Sequence, residues 1–304
     1  LRRLRHLLGS SVLWVGLSAT LRNADTYFAS LVGVESDSVR EISPHPDSLQ
    51  RGGHEYQLVL RGDPASQAAL LSTTIQSLML LLRLQDPLGE GTSGGLFGEK
   101  VFAFCDNLDT VNRLFSSLLS AEGRRPNAAI DAQTGPLALL RSETHHPAED
   151  WNTRDASGQN WWMVDRLRES PVPPEVDLVS AQNPGVKDNA VHVVATSSLE
   201  VGYDDPGVGA VLQHKAPRNV AGFLQRRGRA GRPQIMRPWT VVVLSDYGRD
   251  RLTYQRYEEL LDPELPPKAL PLANRSIRRM QASFAVIDWL GHRLTDFDRG
   301  NKRG

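Results

Sequence analysis

The stretch from Val191 to Pro233, VHVVATSSLEVGYDDPGVGAVLQHKAPRNVAGFLQRRGRAGRP, constrains the fold of this chain most. It opens on an apolar run, Val191 to Ala195, that reads as a buried strand. A small polar turn, Thr196-Ser197-Ser198, follows, then Glu200-Val201-Gly202-Tyr203-Asp204 and a second apolar run from Val208 to Leu212. The stretch closes on a helix expected to run through Gln225-Arg226-Arg227-Gly228-Arg229-Ala230-Gly231-Arg232. On such a helix Arg229 and Arg232, three apart, share one face. Two permanently charged forks on one face can converge on a single anion, and their shape suits phosphate. The plainer use of the same charges is an ion pair inside the domain, Glu200 or Asp204 with Arg226 or Arg227.

Composition narrows the partners. Among 304 residues, Lys plus Arg and Asp plus Glu stand at 35 each, so any basic surface for nucleic acid has to be local. The single cysteine, Cys105, excludes an intrachain disulfide and a multi-cysteine zinc site. It fits a reducing cytosol, so a cytoplasmic protein is expected. No apolar run approaches the ~20 residues that span a bilayer, so no membrane partner is expected. There is no charged-then-apolar leader either. His145-His146 with Asp150 read as solvated loop residues, and no metal site is expected in this chain. The sequence begins at Leu1 and is expected to be a fragment.

Periodicity and breakers set out the remaining elements. Leu1 to Leu8 carries a helical leucine stripe. Val12 to Leu17 reads as a strand ending at Ser18-Ala19-Thr20, and a helix with Asp25, Phe28, Leu31 and Val32 stops at Gly33. A strand is expected over Val39 to Ile42, followed by a polar linker, and another over Glu55 to Leu60. A leucine-rich helix covers residues 66 to 84, and the glycine-rich run from 85 to 99 reads as a flexible loop. Val101 to Cys105 is a buried strand, followed by a helix over 108 to 120 that Asn107 or Asp109 can cap.

Residues 121 to 190 hold Trp151, Trp161 and Trp162. They read chiefly as docking this segment on the core, and stacking on a nucleic-acid base is the alternative. Val176 to Val179 and Trp239 to Leu244 are strands, and residues 250 to 261 an amphipathic helix. Pro263, Pro266, Pro267 and Pro271 then break the chain. A last helix over 274 to 291, capped by Asn274, has the apolar stripe Ile277, Met280, Phe284, Ile287 and Leu290.

Several of these pieces resemble motifs of superfamily 2 helicases. Ala195-Thr196 through Gly202 and Asp204 resembles the fifth motif, ATxxxxxGxD, and Gln225 to Arg232 resembles the sixth, QxxGRxGR. The two stand in the family's order. Ser18-Ala19-Thr20 after an apolar strand resembles the third motif, and KVFAFCDNLDTVNRLFSSLL the fourth. The Glu-Val-Gly-Tyr-Asp form looks closest to DNA helicases outside the DEAD-box group. The Pro-rich break and cationic last helix are similar to parts of some repair and phage-defence helicases. Seventy residues between the fourth and fifth motifs depart from the family's compact second domain.

The resemblance implies an α/β fold, a RecA-like parallel sheet flanked by helices, with a remnant of a first motor domain. Residues 1–43 would be that remnant and 44–262 the second RecA-like domain, with an insertion at about 121–190. Residues 263–304 would be a C-terminal extension. By the same resemblance Arg229 and Arg232 are arginine fingers and Gln225 orients phosphate or water. Gly202, Asp204 and Gly228 border the nucleotide. Thr196, Ser197, Asp106 and Asn107 meet nucleic acid, and Ser18, Ala19 and Thr20 couple the two sites. ATP and Mg²⁺ are the implied cofactors. No G-x-x-x-x-G-K-[ST] and no Asp-Glu box occurs here, because Gly89 to Gly98 runs into Glu99-Lys100-Val101. The phosphate loop and magnesium ligands are therefore expected upstream, and this piece alone is expected to be inactive.

The implied partner is nucleic acid, DNA favoured over RNA, with defence or repair complexes as further partners. The expected function is the C-terminal half of an ATP-dependent helicase or translocase. A degenerate motor kept as a nucleic-acid- or partner-binding module is one alternative, and a motor of a restriction or RNA-processing machine is another.

Overall fold

The computed structural model describes residues 13–17, 23–48, 53–62, 70–127, 129–142, 148–157, 159–161, 164–165, 172–200, 202–262 and 274–301. Ser18-Ala19-Thr20, the helix expected over 1 to 8, His145-His146, Trp162 and the prolines between 263 and 271 lie outside the described residues. The chain divides into two compact units, Ser43–Glu264 and a second that joins Leu1–Ile42 to Leu265–Gly304.

The larger unit is built on six strands: β1 (Tyr56–Arg61), β2 (Lys100–Cys105), β3 (Val176–Val179), β4 (His192–Ala195), β5 (Val208–His214) and β6 (Trp239–Leu244). They lie side by side in the order β1-β6-β5-β2-β4-β3, every pair parallel. β2, β4 and β5 are buried along their whole lengths, as expected for parallel strands covered on both faces. Alternation along each strand divides the core in two. Val101, Ala103 and Cys105 face one side with Val194, Ala210, Leu212, Val241 and Val243. Leu78 and Met79 of α2 (Leu70–Arg83) and Val111, Leu114 and Leu118 of α3 (Leu108–Ala121) cover them. Phe102, Phe104, Val193, Ala195 and Val211 face the other side. There Phe223 of α5 (Val220–Arg227) packs with Val242 and Leu244. The α/β architecture and parallel sheet read from the sequence are those of the structure.

The segment between β4 and β5 crosses the second face with no α-helix among its described residues. It leaves the C-terminal end of β4 at Thr196, lays Tyr203 on Phe102 with ring centroids 5.7 Å apart, and reaches Asp205 beside Lys100 at the start of β2. The Lys100 ammonium donates to the Asp205 carboxylate at 2.8 Å, and the Tyr203 hydroxyl and Gly207 N–H donate to it at 3.1 and 2.8 Å. Burial pushes the Asp205 carboxyl up, but these donors outweigh it and hold the group below its ordinary range. Residues 196–200 and 202–207 thus form a strap pinned at its far end.

Several expectations are corrected. Leu13 to Leu17, the described part of the first expected strand, is irregular, and so is Val39 to Ile42. A strand exists only through its pairing, and neither segment pairs with any described strand. The run from 85 to 99 is an ordered loop. Asp86 accepts from the N–H and hydroxyl of Ser93 at 3.1 and 2.6 Å and from the Thr92 hydroxyl at 3.1 Å. The span 121–190 supplies edge strand β3, and between α3 and β3 it adds α4 (Ala148–Ala156). Trp161 packs against the core as expected.

The helix expected over 250 to 261 is two, α6 (Gly248–Gln255) and α7 (Glu258–Leu261), because Arg256 leaves helical geometry at φ −121°. In the smaller unit α1 spans Ala24–Val32 and ends at Gly33, whose φ of 78° suits glycine. The last helix, α8 (Arg275–Asn301), outruns its expected end. Its stripe residues Met280, Phe284, Ile287 and Leu290 are exposed, and Ile277 is half-buried.

At the C-terminal end of β5, buried His214 meets the Thr74 hydroxyl at 2.7 Å. Burial and then Lys215 push its imidazole down to about 4 from 6.5, against the opposing charge of Asp250. The unfolded chain binds this proton as pH falls through 6.5, and the folded chain not until about 4. Stability is therefore lost across that window as pH drops. Buried His192, its pKa also lowered by burial, adds in the same direction. The expected result is a melting temperature that falls with pH below 6.5, and in His214→Gln a shallower fall that keeps the His192 share. Identical slopes for the two proteins would contradict this.

Candidate functional site

Three segments of the sheet unit gather the residues singled out by the motifs. The first is the turn after β2. Asn107 is exposed and caps α3, its side chain accepting from the Asp109 N–H at 2.8 Å. Asp106, largely buried, accepts from the Arg218 N–H at 3.2 Å and pairs with Arg226 at 2.6 Å.

The second segment is the start of the strap. Thr196 is half-buried, Ser197 and Ser198 are exposed, and the Thr196 hydroxyl accepts from the Ser198 N–H at 3.4 Å. β2 and β4 are neighbours, so Asn107 and Thr196 stand at the same, C-terminal, edge of the sheet. Ligands of open parallel sheets bind at that edge. Further along the strap Gly202, at φ 83°, and Asp204 are exposed.

The third segment is α5 together with residues 228–233. Asn219 caps α5 by accepting from the Gly222 N–H at 2.7 Å. The helix ends at Arg227, not at Arg232. Gly228 is its cap, Gly231 takes φ 74°, and Pro233 comes next but one, so the segment has little helical propensity. A side chain at Gly231 would meet the Pro238 ring at 2.5 Å, which fixes glycine there. Arg229 and Arg232 are therefore not neighbours on a helix face, and their three-residue spacing does not align them. The chain runs back along the second face of the sheet, and the Gly231 N–H donates to Val208 at the N-terminal start of β5 at 3.1 Å.

The four arginines of this segment have different partners. Arg226 is buried and pairs with Glu200 and Asp106. Arg227 forks onto Glu55 at 2.8 and 2.7 Å. Arg229 is half-buried and donates to the carbonyls of Tyr203 and Glu200 on the strap. Burial, and next the charge of Arg232, hold its guanidinium below the ordinary arginine range. Arg232 is 43% exposed and meets Asp204, itself 74% exposed, at 3.5 Å. Gln225 and Gly228 are exposed. Of the expected site residues, the structure brings Asp106, Asn107, Thr196 and Ser197 to one sheet edge. It places Asp204 and Arg232 together, with Arg229 turned onto the strap.

Sequence reasoning weighed Glu200 against Arg226 or Arg227, and the partner is Arg226. It missed Gln213. A glutamine in the buried run AVLQH has to find a hydrogen-bond partner. Arg226 lies three residues after Phe223, on the buried face of α5, and meets that need.

Residues 181–234, covering β4, the strap, β5 and α5, match the family model described as the helicase conserved C-terminal domain. The chain is 29% identical over 248 residues to the Lhr helicase/uracil glycosylase of Escherichia coli (strain K12). That match covers 76% of this chain and 14% of the relative, so the chain spans a small part of that protein's length. Among solved structures, the helicase Lhr of Mycobacterium smegmatis, bound to ssDNA and AMP-PNP, superposes with a TM-score of 0.35 at 18% identity. It covers 63% of this chain and 19% of that one. Domain 2 of the DEAD-box helicase Mss116p, bound to an RNA duplex, gives a TM-score of 0.38 at 13% identity over 70% of this chain and 65% of that chain. Dbp5 of S. cerevisiae bound to RNA and ADP BeF3 gives 0.42 at 11% identity, over 82% and 49%. Residues 181–234 thus match a helicase C-terminal domain, and the chain as a whole is similar in sequence to part of the Lhr helicase.

Proposed function

We propose that this chain supplies the second motor lobe of an ATP-dependent nucleic-acid helicase or translocase. The observation that carries the reading is the contrast among the arginines after β5. Arg226, Arg227 and Arg229 are engaged within their own lobe, while Arg232 stands half-exposed beside an exposed carboxylate. A guanidinium so placed is free to turn toward a triphosphate held by another lobe. Asp204 and Gly202 border that position, and exposed Gln225 can orient a phosphate or water. Arg229 joins the site as a second cation only by giving up its two strap carbonyls; in this conformation it positions the strap.

Among the described residues no group of three His, Cys, Asp or Glu stands where it could hold a metal. On the proposed reading, the magnesium that neutralises phosphate charge would be held by the other lobe. The polar edge at Asn107, Thr196 and Ser197 would take the phosphodiester backbone of a single strand, DNA before RNA. Closing and opening of the two lobes, timed by hydrolysis, would step the strand along.

The engagement of Arg229 favours a second reading, a nucleic-acid- or partner-binding module without hydrolysis. The motor reading and the nucleic-acid form of the module both require strand binding at the sheet edge. The test is fluorescence anisotropy with a labelled single strand of about 20 nucleotides, DNA and RNA in parallel. Thr196→Val, which keeps the shape and removes the hydroxyl, is expected to weaken binding several-fold, about 1 kcal/mol, while the fold is retained with at most a small drop in melting temperature from the lost Ser198 bond. Equal affinity of wild type and variant removes Thr196 from the interface, and no binding of either strand overturns the motor and the nucleic-acid-binding module and leaves the partner-binding module.

A further inference from the structure

Arg226 is neither a finger nor a strand contact in this reading, yet every nitrogen of its guanidinium is used. Nε donates to Glu200 Oε1 at 2.7 Å, Nη1 to the Gln213 side-chain Oε1 at 2.6 Å, and Nη2 to both Asp106 Oδ1 at 2.6 Å and Glu200 Oε1 at 2.5 Å. Below it the Phe104 ring centroid lies 5.5 Å from Cζ. The side chain is 6% exposed, and those of Asp106 and Glu200 15% and 17%. Each partner belongs to a different piece of the lobe. Asp106 follows β2, Glu200 opens the strap, and Gln213 is in β5. The second Asp106 oxygen holds the Arg218 N–H at 3.2 Å, which adds the loop leading into α5.

Two carboxylates within reach of one Nη2, and largely withdrawn from water, repel each other once that cation is gone. Arg226 is therefore what allows the turn after β2 and the start of the strap to lie together. It joins both to α5, the helix that leads into Arg229 and Arg232.

We propose that Arg226 is a positioning residue that couples the two strand-end loops to the arginine segment, so that a strand seated at Asn107 and Thr196 sets the placement of Arg229 and Arg232. This rests on the function proposed above and names the element through which its two sites communicate. Arg226 touches neither ligand. It acts through Glu200, whose own carbonyl accepts from Arg229. One residue of the strap is thus held by its side chain to Arg226 and by its backbone to Arg229.

The test uses the 304-residue chain, amide hydrogen exchange and the single-strand anisotropy assay. Arg226→Lys keeps the charge but cannot fork onto all three partners. Its exchange is expected to quicken by roughly 10-fold or more at residues 106–109, 196–200 and 229–232 together, and strand affinity to fall by about the same factor. Arg226→Gln leaves two facing carboxylates and is expected to show the larger defect. Adding Glu200→Gln to it removes the repulsion and is expected to restore most of the affinity. Loss of packing volume alone would not be repaired by that second change. Should Arg226→Gln not fold, the lysine variant decides. Exchange that quickens in one loop only, or evenly over the whole sheet, overturns the proposal, and so does a double variant no better than Arg226→Gln. If the wild type binds no strand the proposed function fails, while the exchange pattern still decides whether Arg226 links the three segments.

Discussion

Replacing Arg232 by alanine is expected to slow nucleic-acid-stimulated ATP hydrolysis by roughly 10³-fold or more in a protein that joins this lobe to one carrying the phosphate loop. The transition state of phosphoryl transfer spreads negative charge over the γ-phosphate oxygens, and a guanidinium delivered at closure stabilises that charge more than the ground state. In the resting lobe Arg232 contributes little to stability. Its partner Asp204 is 74% exposed and 3.5 Å away, and such pairs are worth about 0–1 kcal/mol. The melting temperature of Arg232→Ala is therefore expected to match the wild type, which separates loss of chemistry from loss of fold. Arg229→Ala differs, because it also removes two hydrogen bonds to the strap and is expected to lower stability as well as rate. A normal rate in Arg232→Ala, measured at saturating ATP and nucleic acid, would remove Arg232 from the nucleotide site.

The largest effect on the fold is expected at the other end of the sheet. Glu122, following α3, is 1% exposed and is held by Arg83 from the end of α2 through two bonds of 2.5 and 2.6 Å. His192, the first residue of β4, lies 3.4 Å from the same carboxylate. Burial pushes the Glu122 carboxyl up, but His192 and Arg83 outweigh it and keep the group below its ordinary range. Arg83→Ala leaves a buried charge beside a buried imidazole that desolvation keeps neutral. The expected cost is about 3–5 kcal/mol, read from urea unfolding. Arg83→Met with Glu122→Leu replaces the pair by apolar volume and is expected to recover most of that loss. A cost below about 1 kcal/mol for Arg83→Ala would mean that water or a rearranged side chain already solvates Glu122.

How much could be read from the sequence differs from element to element. β2, β4, β5 and β6 were legible as short apolar runs, since a parallel strand covered on both faces must be apolar at nearly every position. The Asn107 cap was legible because its oxygen has a defined backbone partner two residues on. The order of the strands was not, because it is set by crossovers that leave no local trace. The end of α5 was misread. Charge spacing suggested a helix through Arg232, while Gly228, Gly231 and Pro233 carried the stop signal.

The internal charge network was weighed for Glu200, but the shared use of one arginine by two carboxylates is a three-dimensional fact. The exposed stripe of α8 illustrates the opposite limit. Amphipathic spacing reveals which face is apolar and says nothing of what lies against it.

The most direct measurement is the ATPase rate of a protein that joins this lobe to one carrying a phosphate loop, titrated with single-stranded DNA and with RNA. A second motor lobe whose sheet edge holds the strand and whose Arg232 completes the nucleotide site requires a rate that rises with strand concentration and saturates at the occupancy seen by anisotropy. DNA is expected to saturate at the lower concentration. A rate that is the same with and without either strand, in a protein that binds both ATP and the strand, would contradict it.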